Sequence, residues 1–155
     1  MSIMDKNLVF SDCQTFAFTD LTTQAASTNL VDLGAEDLQI GNGTPLYLNI
    51  RCAESFTTTL GSTGYVVFKL DNDTGSTFVD TGPSLIEKKM NIAELIIVGS
   101  ANRWILRQAL PHGKIKRYLR LVYVRGLDAS TGFSTGGLHF DSWISSAVPD
   151  RDVGT

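Results

Sequence analysis

Residues Arg103–Arg125 read RWILRQALPHGKIKRYLRLVYVR, and the fold class turns on this stretch. Trp104, Leu106 and Leu110 fall on one side of an extended chain, with Arg103, Ile105, Arg107 and Ala109 on the other. After Pro111-His112-Gly113 the alternation resumes, Leu119, Leu121, Tyr123 and Arg125 against Tyr118, Arg120, Val122 and Val124. Successive side chains of a strand point to opposite faces. Period-two patterning broken by a Pro/Gly turn therefore predicts two neighbouring β-strands over an apolar core. The same stretch holds seven basic residues, Arg103, Arg107, Lys114, Lys116, Arg117, Arg120 and Arg125, and no acid.

The pattern extends outward in both directions. Leu46, Leu48, Ile50 and Cys52 alternate with Tyr47, Asn49, Arg51 and Ala53, behind Pro45, which suits a first strand position. Tyr65–Leu70 is a strand with Val66, Phe68 and Leu70 inward; Asp71-Asn72-Asp73-Thr74-Gly75 turns the chain and Phe78 begins the return. Asn29–Leu33, ended by Gly34, and Leu85–Met90 are further strand candidates, while Asn91–Leu95 reads as a helical turn or a strand start. Leu138, Phe140, Ser142 and Ile144 alternate with His139, Asp141 and Trp143 in the last strand. Trp104 and Trp143 sit at alternating positions, where core packing is the commoner fate of tryptophan.

Seven or eight short strands spaced by Gly, Asp, Asn, Ser and Thr clusters, with less than about a tenth of the chain in helix, predict an all-β fold. The expected architecture is a single antiparallel β-sandwich of jelly-roll type. Its core should include Leu48, Ile50, Val66, Phe68, Leu119, Leu121, Leu138 and Phe140. Residues 1–25 lack periodicity and read as an extended N-terminal arm, anchored by Phe10, Phe16 and Phe18 on the same subunit or a neighbour. The sandwich is expected over 26–148 and a flexible C-terminal tail over 149–155.

A chain of 155 residues fits one domain, and can bury about two-thirds of its unfolded surface in one core. A net charge of -3 argues against binding nucleic acid through bulk electrostatics. Residues 1–102 carry five bases and twelve acids, residues 103–125 seven bases, and residues 126–155 one base and four acids. Either the basic strands face acids of the same chain, such as Asp32, Glu36 or Asp37, or they form a patch for an acidic partner surface. No basic segment precedes a long apolar run at the N-terminus, and Leu95–Gly99 is too short to cross a bilayer, so synthesis in a reducing cytoplasm is expected, without a membrane. Cys13 and Cys52 make no disulfide framework, and Cys52 reads as a small buried apolar residue.

Catalytic and metal motifs fail on their context. Gly132-Phe133-Ser134-Thr135-Gly136 matches the G-x-S-x-G nucleophile elbow, whose serine needs a strand-to-helix turn with an acid and then a histidine downstream. A strand follows instead, and His139 and Asp141 come in the reverse order on one face of it, so a Gly/Ser/Thr loop is the better reading. Asp71–Gly75 fails as an EF-hand loop because its fifth, sixth and twelfth positions hold Gly75, Ser76 and Gly82. Two widely spaced histidines and two cysteines give no zinc site, and His112 is a solvated turn residue. The expectation is no enzyme, no cofactor and no metal.

Four segments stand in a telling order: Ala25-Ala26-Ser27-Thr28-Asn29-Leu30-Val31-Asp32-Leu33-Gly34; Pro45-Leu46-Tyr47-Leu48; Phe68-Lys69-Leu70-Asp71 followed by Phe78; and Arg117-Tyr118-Leu119-Arg120-Leu121-Val122-Tyr123 after a Pro/Gly turn. Together they resemble a family of tailed-phage capsid cement (decoration) proteins first known from a Bordetella phage, over most of residues 5–145. Lys114-Ile115-Lys116 and the tail after Val148 depart from the family pattern. The resemblance implies a jelly-roll-like sandwich without enzymatic activity, carried as homo-oligomers on the outer capsid surface of the virion, where it bridges neighbouring capsomers. Its implied partners are the major capsid protein and further copies of itself, a dimer in preference to a trimer.

Many weak contacts multiplied by symmetry hold firmly, so an aromatic arm and basic strands are suitable adhesive parts. The expected contact residues are Phe10, Phe16, Phe18, Arg103, Arg107, Arg117 and Arg125, arginine being suited to bidentate pairing with carboxylates. A second reading is a receptor- or carbohydrate-binding module of a phage tail or fibre. An exposed Trp and Tyr cluster beside Asp or Asn would favour it. A hydrolase rests on Gly132–Gly136 alone.

Overall fold

The alternating segments form strands in a computed structural model of the chain, which describes residues 8–16, 24–34, 38–40, 45–53, 65–79, 82–91, 94, 103–126 and 138–146. The strands are β1 (Val9–Phe16), β2 (Gln24–Ala26), β3 (Val31–Asp32), β4 (Leu38–Ile40), β5 (Tyr47–Cys52), β6 (Tyr65–Asp73), β7 (Ile86–Asn91), β8 (Trp104–Ala109), β9 (Gly113–Ile115), β10 (Tyr118–Gly126) and β11 (Leu138–Ser145). One sheet has the order β1-β11-β5-β8 and the other β2-β10-β6-β7, with β3 also on β10; β4 and β9 form a two-stranded ribbon. Every pairing is antiparallel. Among the described residues no helix is long and apolar enough to cross a membrane.

β2 and β3 lie end to end along β10, opposite Val122–Val124 and Tyr118–Leu119, and act as one interrupted edge strand. Counted so, the strands nest as a folded-over hairpin: β1 on β11, β2/β3 on β10, β5 on β8, β6 on β7. This nesting, shared between two sheets, is the jelly-roll arrangement read from the sequence. Gly126 ends β10 opposite Tyr65, whose ring lies where a Cβ would stand, so a side chain there would have to displace that ring.

Residues from both sheets meet in one core. Leu48, Ile50, Val66, Phe68, Leu119, Leu121 and Phe140 are buried, as their alternation required; the side chain of Leu138 lies outside the described residues. At the centre Tyr123 stacks parallel to Phe140 at 5.4 Å, Phe68 stands edge-on to both, and Phe16 lies 3.9 Å from Tyr123.

Four expectations are corrected. The strands either side of Pro111-His112-Gly113 are not neighbours, because β8 belongs to one sheet and β10 to the other. Alternation specifies faces, not partners, and the connection carries its own strand β9, entered through Gly113 at φ 138°. Second, the N-terminal arm is in its described part a strand: β1 pairs along β11, with Phe10 and Phe16 buried in the core, so the sandwich begins well before residue 26. Register shifts between Val9 and Ser11 and between Ser11 and Gln14, with Cys13 at φ 47°, break the alternation that would have marked it. Third, Phe78 begins no return strand; it sits at φ 53° after a turn in which the Asp73 carboxylate accepts the Gly75 N–H at 3.2 Å, and β7 starts at Ile86. Fourth, Asn29–Leu33 yields only the two residues of β3. Phe18 and the tail 149–155 lie outside the described residues, as do most of residues 92–95.

Gln14 clips the two sheets together at the β1 edge. Its Oε1 accepts the Thr28 N–H at 2.7 Å and its Nε2 donates to the Ala26 carbonyl at 3.1 Å, while Asn29 N–H donates to the Phe10 carbonyl at 3.0 Å. The buried Tyr123 hydroxyl shares hydrogen bonds with Ser11 Oγ at 3.2 Å and Ser142 Oγ at 3.1 Å. Loss of solvent pushes its pKa up from 10.0 to about 12. The folded chain holds this proton more tightly than the unfolded one, so the stability linked to it is complete below about pH 10 and is lost as pH rises toward about 12. Alkaline titration is expected to lower the urea midpoint across that window, as Tyr123 ionises. Ionisation of Tyr123 near pH 10 in a folded chain would contradict this assignment.

Candidate interaction surface

The fold divides the basic stretch. Arg117 pairs bidentately with Asp32 across the β10–β3 edge, Nε and Nη2 each donating at 2.8 Å to separate carboxylate oxygens. That guanidinium first, and the Gly34 N–H second, hold the Asp32 carboxyl at about 2, below its ordinary 3.8. Arg120 stands opposite Asp71 in the β10–β6 register, 3.9 Å from its carboxylate and with its guanidinium 4.2 Å from the Phe78 ring centroid. Arg125 is buried, in line with Leu119, Leu121 and Tyr123. Among the expected contact residues, then, Phe10, Phe16 and Arg125 are interior and Arg117 is held by its own chain. The same-chain reading of the charge applies to Arg117 and Asp32; residues 36 and 37 lie outside the described residues.

Arg107 lies on the outer face of the first sheet, and exposed Arg103 immediately precedes β8. In the register of β8, β5 and β11, Arg107 stands opposite Asn49 and Asn49 opposite Trp143, while Trp104 stands opposite Arg51 and Arg51 opposite Asp141. Two cross-strand rows result, with cations and indoles on the diagonals. The Arg107 guanidinium lies 3.5 Å from the Trp104 ring centroid, the two indoles are 5.4 Å apart, and Arg51 is 5.7 Å from the Trp143 centroid. Arg51 also donates from Nε and Nη2 to Asp141 Oδ2, at 3.1 and 2.6 Å.

The expectation of core packing fails for Trp104, which is half-buried, whereas Trp143 is buried. A one-residue register shift in β8 leaves Ile105 as the extra residue and turns Trp104 to the side of Arg107, away from Leu106. Trp143 alternates with inward Phe140, Ser142 and Ile144 and so faces outward, although only 8% of it is accessible. Asn49 is buried within this face, donating to the Tyr47 carbonyl and to Ser145 Oγ at 3.0 Å each. No signal in the sequence marked Asn49 or Arg51 as members of this grid; it arises from register.

The remaining motif residues are spread out. Asp141 is engaged by Arg51 and by the Cys13 N–H, its Oδ1 accepting at 2.8 Å, and residues 132–136 lie outside the described residues. Exposed Cys13 has its Sγ 3.9 Å from His139 Nδ1, Cys52 is buried, and His112 is exposed. Among the described residues no group of three or more His, Cys, Asp or Glu side chains could hold a metal. What this surface holds is planar guanidinium groups stacked on indoles, with Arg51 also paired to Asp141.

A family model, Bbp16, matches residues 10–144. The chain belongs to the Bbp16 family. It is a phage-related protein, in agreement with the resemblance carried by Ala25–Gly34 and the three later segments. No curated protein matches the chain. The Bbp16 match begins within β1 and ends within β11, the two strands that pair to complete the first sheet. The family's extent and the jelly roll therefore coincide, which is independent support for counting β1 as part of the body.

Proposed function

We propose that this protein is a capsid cement, or decoration, subunit that binds the outer surface of an icosahedral phage shell and bridges neighbouring capsomers. Membership of the phage-related Bbp16 family across the whole jelly roll carries this reading. The subunit acts by adhesion and without catalysis, as a homo-oligomer, most simply a dimer, whose repeated contacts with the major capsid protein add through symmetry. The β8 edge of the first sheet, which carries Arg107 and is preceded by exposed Arg103, supplies the contact with shell carboxylates; stacking on Trp104 holds the Arg107 guanidinium in one orientation, which suits a contact repeated many times.

The test is occupancy on purified particles. Copy number should stand in fixed ratio to the major shell protein. Occupancy should fall in molar salt, as the screening length drops from about 10 Å at 0.1 M to about 3 Å at 1 M. Arg103→Glu and Arg107→Glu should each lower it while the subunit stays folded. Full occupancy after both reversals and in molar salt would place attachment elsewhere. A carbohydrate-binding module of a tail or fibre needs an open aromatic face; the indoles of Trp104 and Trp143 lie against each other and under Arg107 and Arg51.

A further inference from the structure

A cleft of about 360 Å³ opens at the bulged part of β1, walled by Val9 and Trp143 and rimmed by Asp12, Asn29, Arg51 and Asp141. The chain builds it deliberately in one respect: the positive φ of Cys13 directs its N–H onto Asp141 Oδ1 at 2.8 Å, and this pinned bulge holds Asp12 at the rim. The charges then sort themselves. Asp141 spends one oxygen on Cys13 and the other on Arg51, so the Arg51–Asp141 pair is neutral as a unit. Asp12 is exposed and, among the described residues, makes no ion pair or hydrogen bond, and the side-chain amide of Asn29 is equally unengaged there. The cleft thus has one uncompensated negative charge, one open amide and an apolar wall.

Three ligand chemistries compete. An anion would meet an Arg51 already neutralised and an unpaired Asp12 carboxylate, which repels it. A sugar would need an indole face, and Trp143 is 8% accessible, packed on Trp104 and beneath Arg51. A cation on an aliphatic stem fits: the stem covers Val9 and the edge of Trp143 while the head reaches the Asp12 carboxylate and the Asn29 amide oxygen. We propose that this cleft receives a lysine or arginine side chain from another protein chain. β1 and β8 are opposite edges of the same sheet, so the subunit carries an acidic socket at one edge and a basic contact at the other. The inference goes beyond the capsid role and does not depend on it.

The experiment uses the full chain labelled with nitrogen-15 and titrated with N-acetyl-lysine amide and N-acetyl-arginine amide. The Trp143 indole N–H and the Asn29 side-chain amide should shift saturably, with half-saturation at about 1–30 mM, as for a single weak contact. The backbone amide of Lys88 on β7 should stay still. Asp12→Asn, a surface change, should keep the rest of the spectrum and weaken binding by about tenfold or more. N-acetyl-aspartate amide and glucose should leave the same signals unmoved. Absence of saturable shifts up to about 100 mM, undiminished binding by Asp12→Asn, or binding of the acidic or sugar probe would each overturn the proposal. None of these outcomes bears on shell occupancy.

Discussion

Removing residues 1–20 is expected to abolish cooperative folding. The deletion takes away β1, the strand that pairs with β11, and with it Phe10 and Phe16, both buried in the core. Truncating one buried phenylalanine to alanine costs about 3–5 kcal/mol, so losing two consumes much or all of the 5–15 kcal/mol by which a domain is stable. The loss compounds. Phe16 packs on Tyr123 at 3.9 Å and on Phe140 at 5.8 Å, so the central aromatic cluster opens to water. Ser11 leaves the Tyr123 hydroxyl, Gln14 no longer ties the sheets, and β11 becomes an unpaired edge inviting association. A urea titration should show no sigmoidal transition, near-ultraviolet dichroism should vanish, and hydrophobic dye should bind. A truncated chain melting at the full-length midpoint would restore the arm as a dispensable appendage.

This reversal shows where sequence reasoning stopped. β5, β6, β10 and β11 were legible because each keeps strict alternation, and their inner residues are the core. β1 was not, because two register shifts within Val9–Gln14 leave Phe10 and Ser11 both buried and put Asp12 and Cys13 outside, a pattern that resembles a loop. The same cause misplaced Trp104: one extra residue at Ile105 inverts every position N-terminal to it. Partnership was the other hidden quantity. A Pro/Gly turn between two alternating runs suggests a hairpin, yet here the run crosses from one sheet to the other.

The basic surface was half legible. Its composition was plain, but which arginine keeps a partner at home depends on contacts far apart in sequence. Asp32 and Arg117 are 85 positions apart and meet because β3 lies on β10, whereas Arg107 finds Trp104 only three positions away. Asp32 also stands in the segment Ala25–Gly34 that carries the family resemblance. That segment forms the interrupted edge strand and the clip to Gln14, so structural duty accounts for its pattern without any contact to a partner. The family was legible in its four segments, and the Bbp16 match over residues 10–144 spans them all.

Phe68→Ala is expected to cost about 3–5 kcal/mol, the usual range for emptying a buried phenylalanine site. Phe68 is fully buried on β6, opposite Tyr123 in the strand register, with its ring edge-on to Tyr123 at 5.7 Å and to Phe140 at 5.4 Å. Rings packed in T-shaped pairs attract beyond their buried area, so the truncation loses these contacts as well as transfer energy. The hole is held open from both sides: Phe140 is fixed by the β5 and β1 pairings of β11, and Tyr123 by hydrogen bonds to Ser11 and Ser142. Neither can collapse inward cheaply, which places the cost at the upper end of the range. With a urea slope of about 1–3 kcal/mol/M, the midpoint should fall by about 2 M at unchanged slope. Phe68→Leu, which fills most of the volume, should lose about half as much or less. Benzene should restore part of the loss in the alanine variant and none in the leucine variant, because a dry apolar cavity binds it. A midpoint unmoved by Phe68→Ala would mean that the inner face of β6 has been assigned to the wrong residues, and the aromatic centre of the sandwich with it.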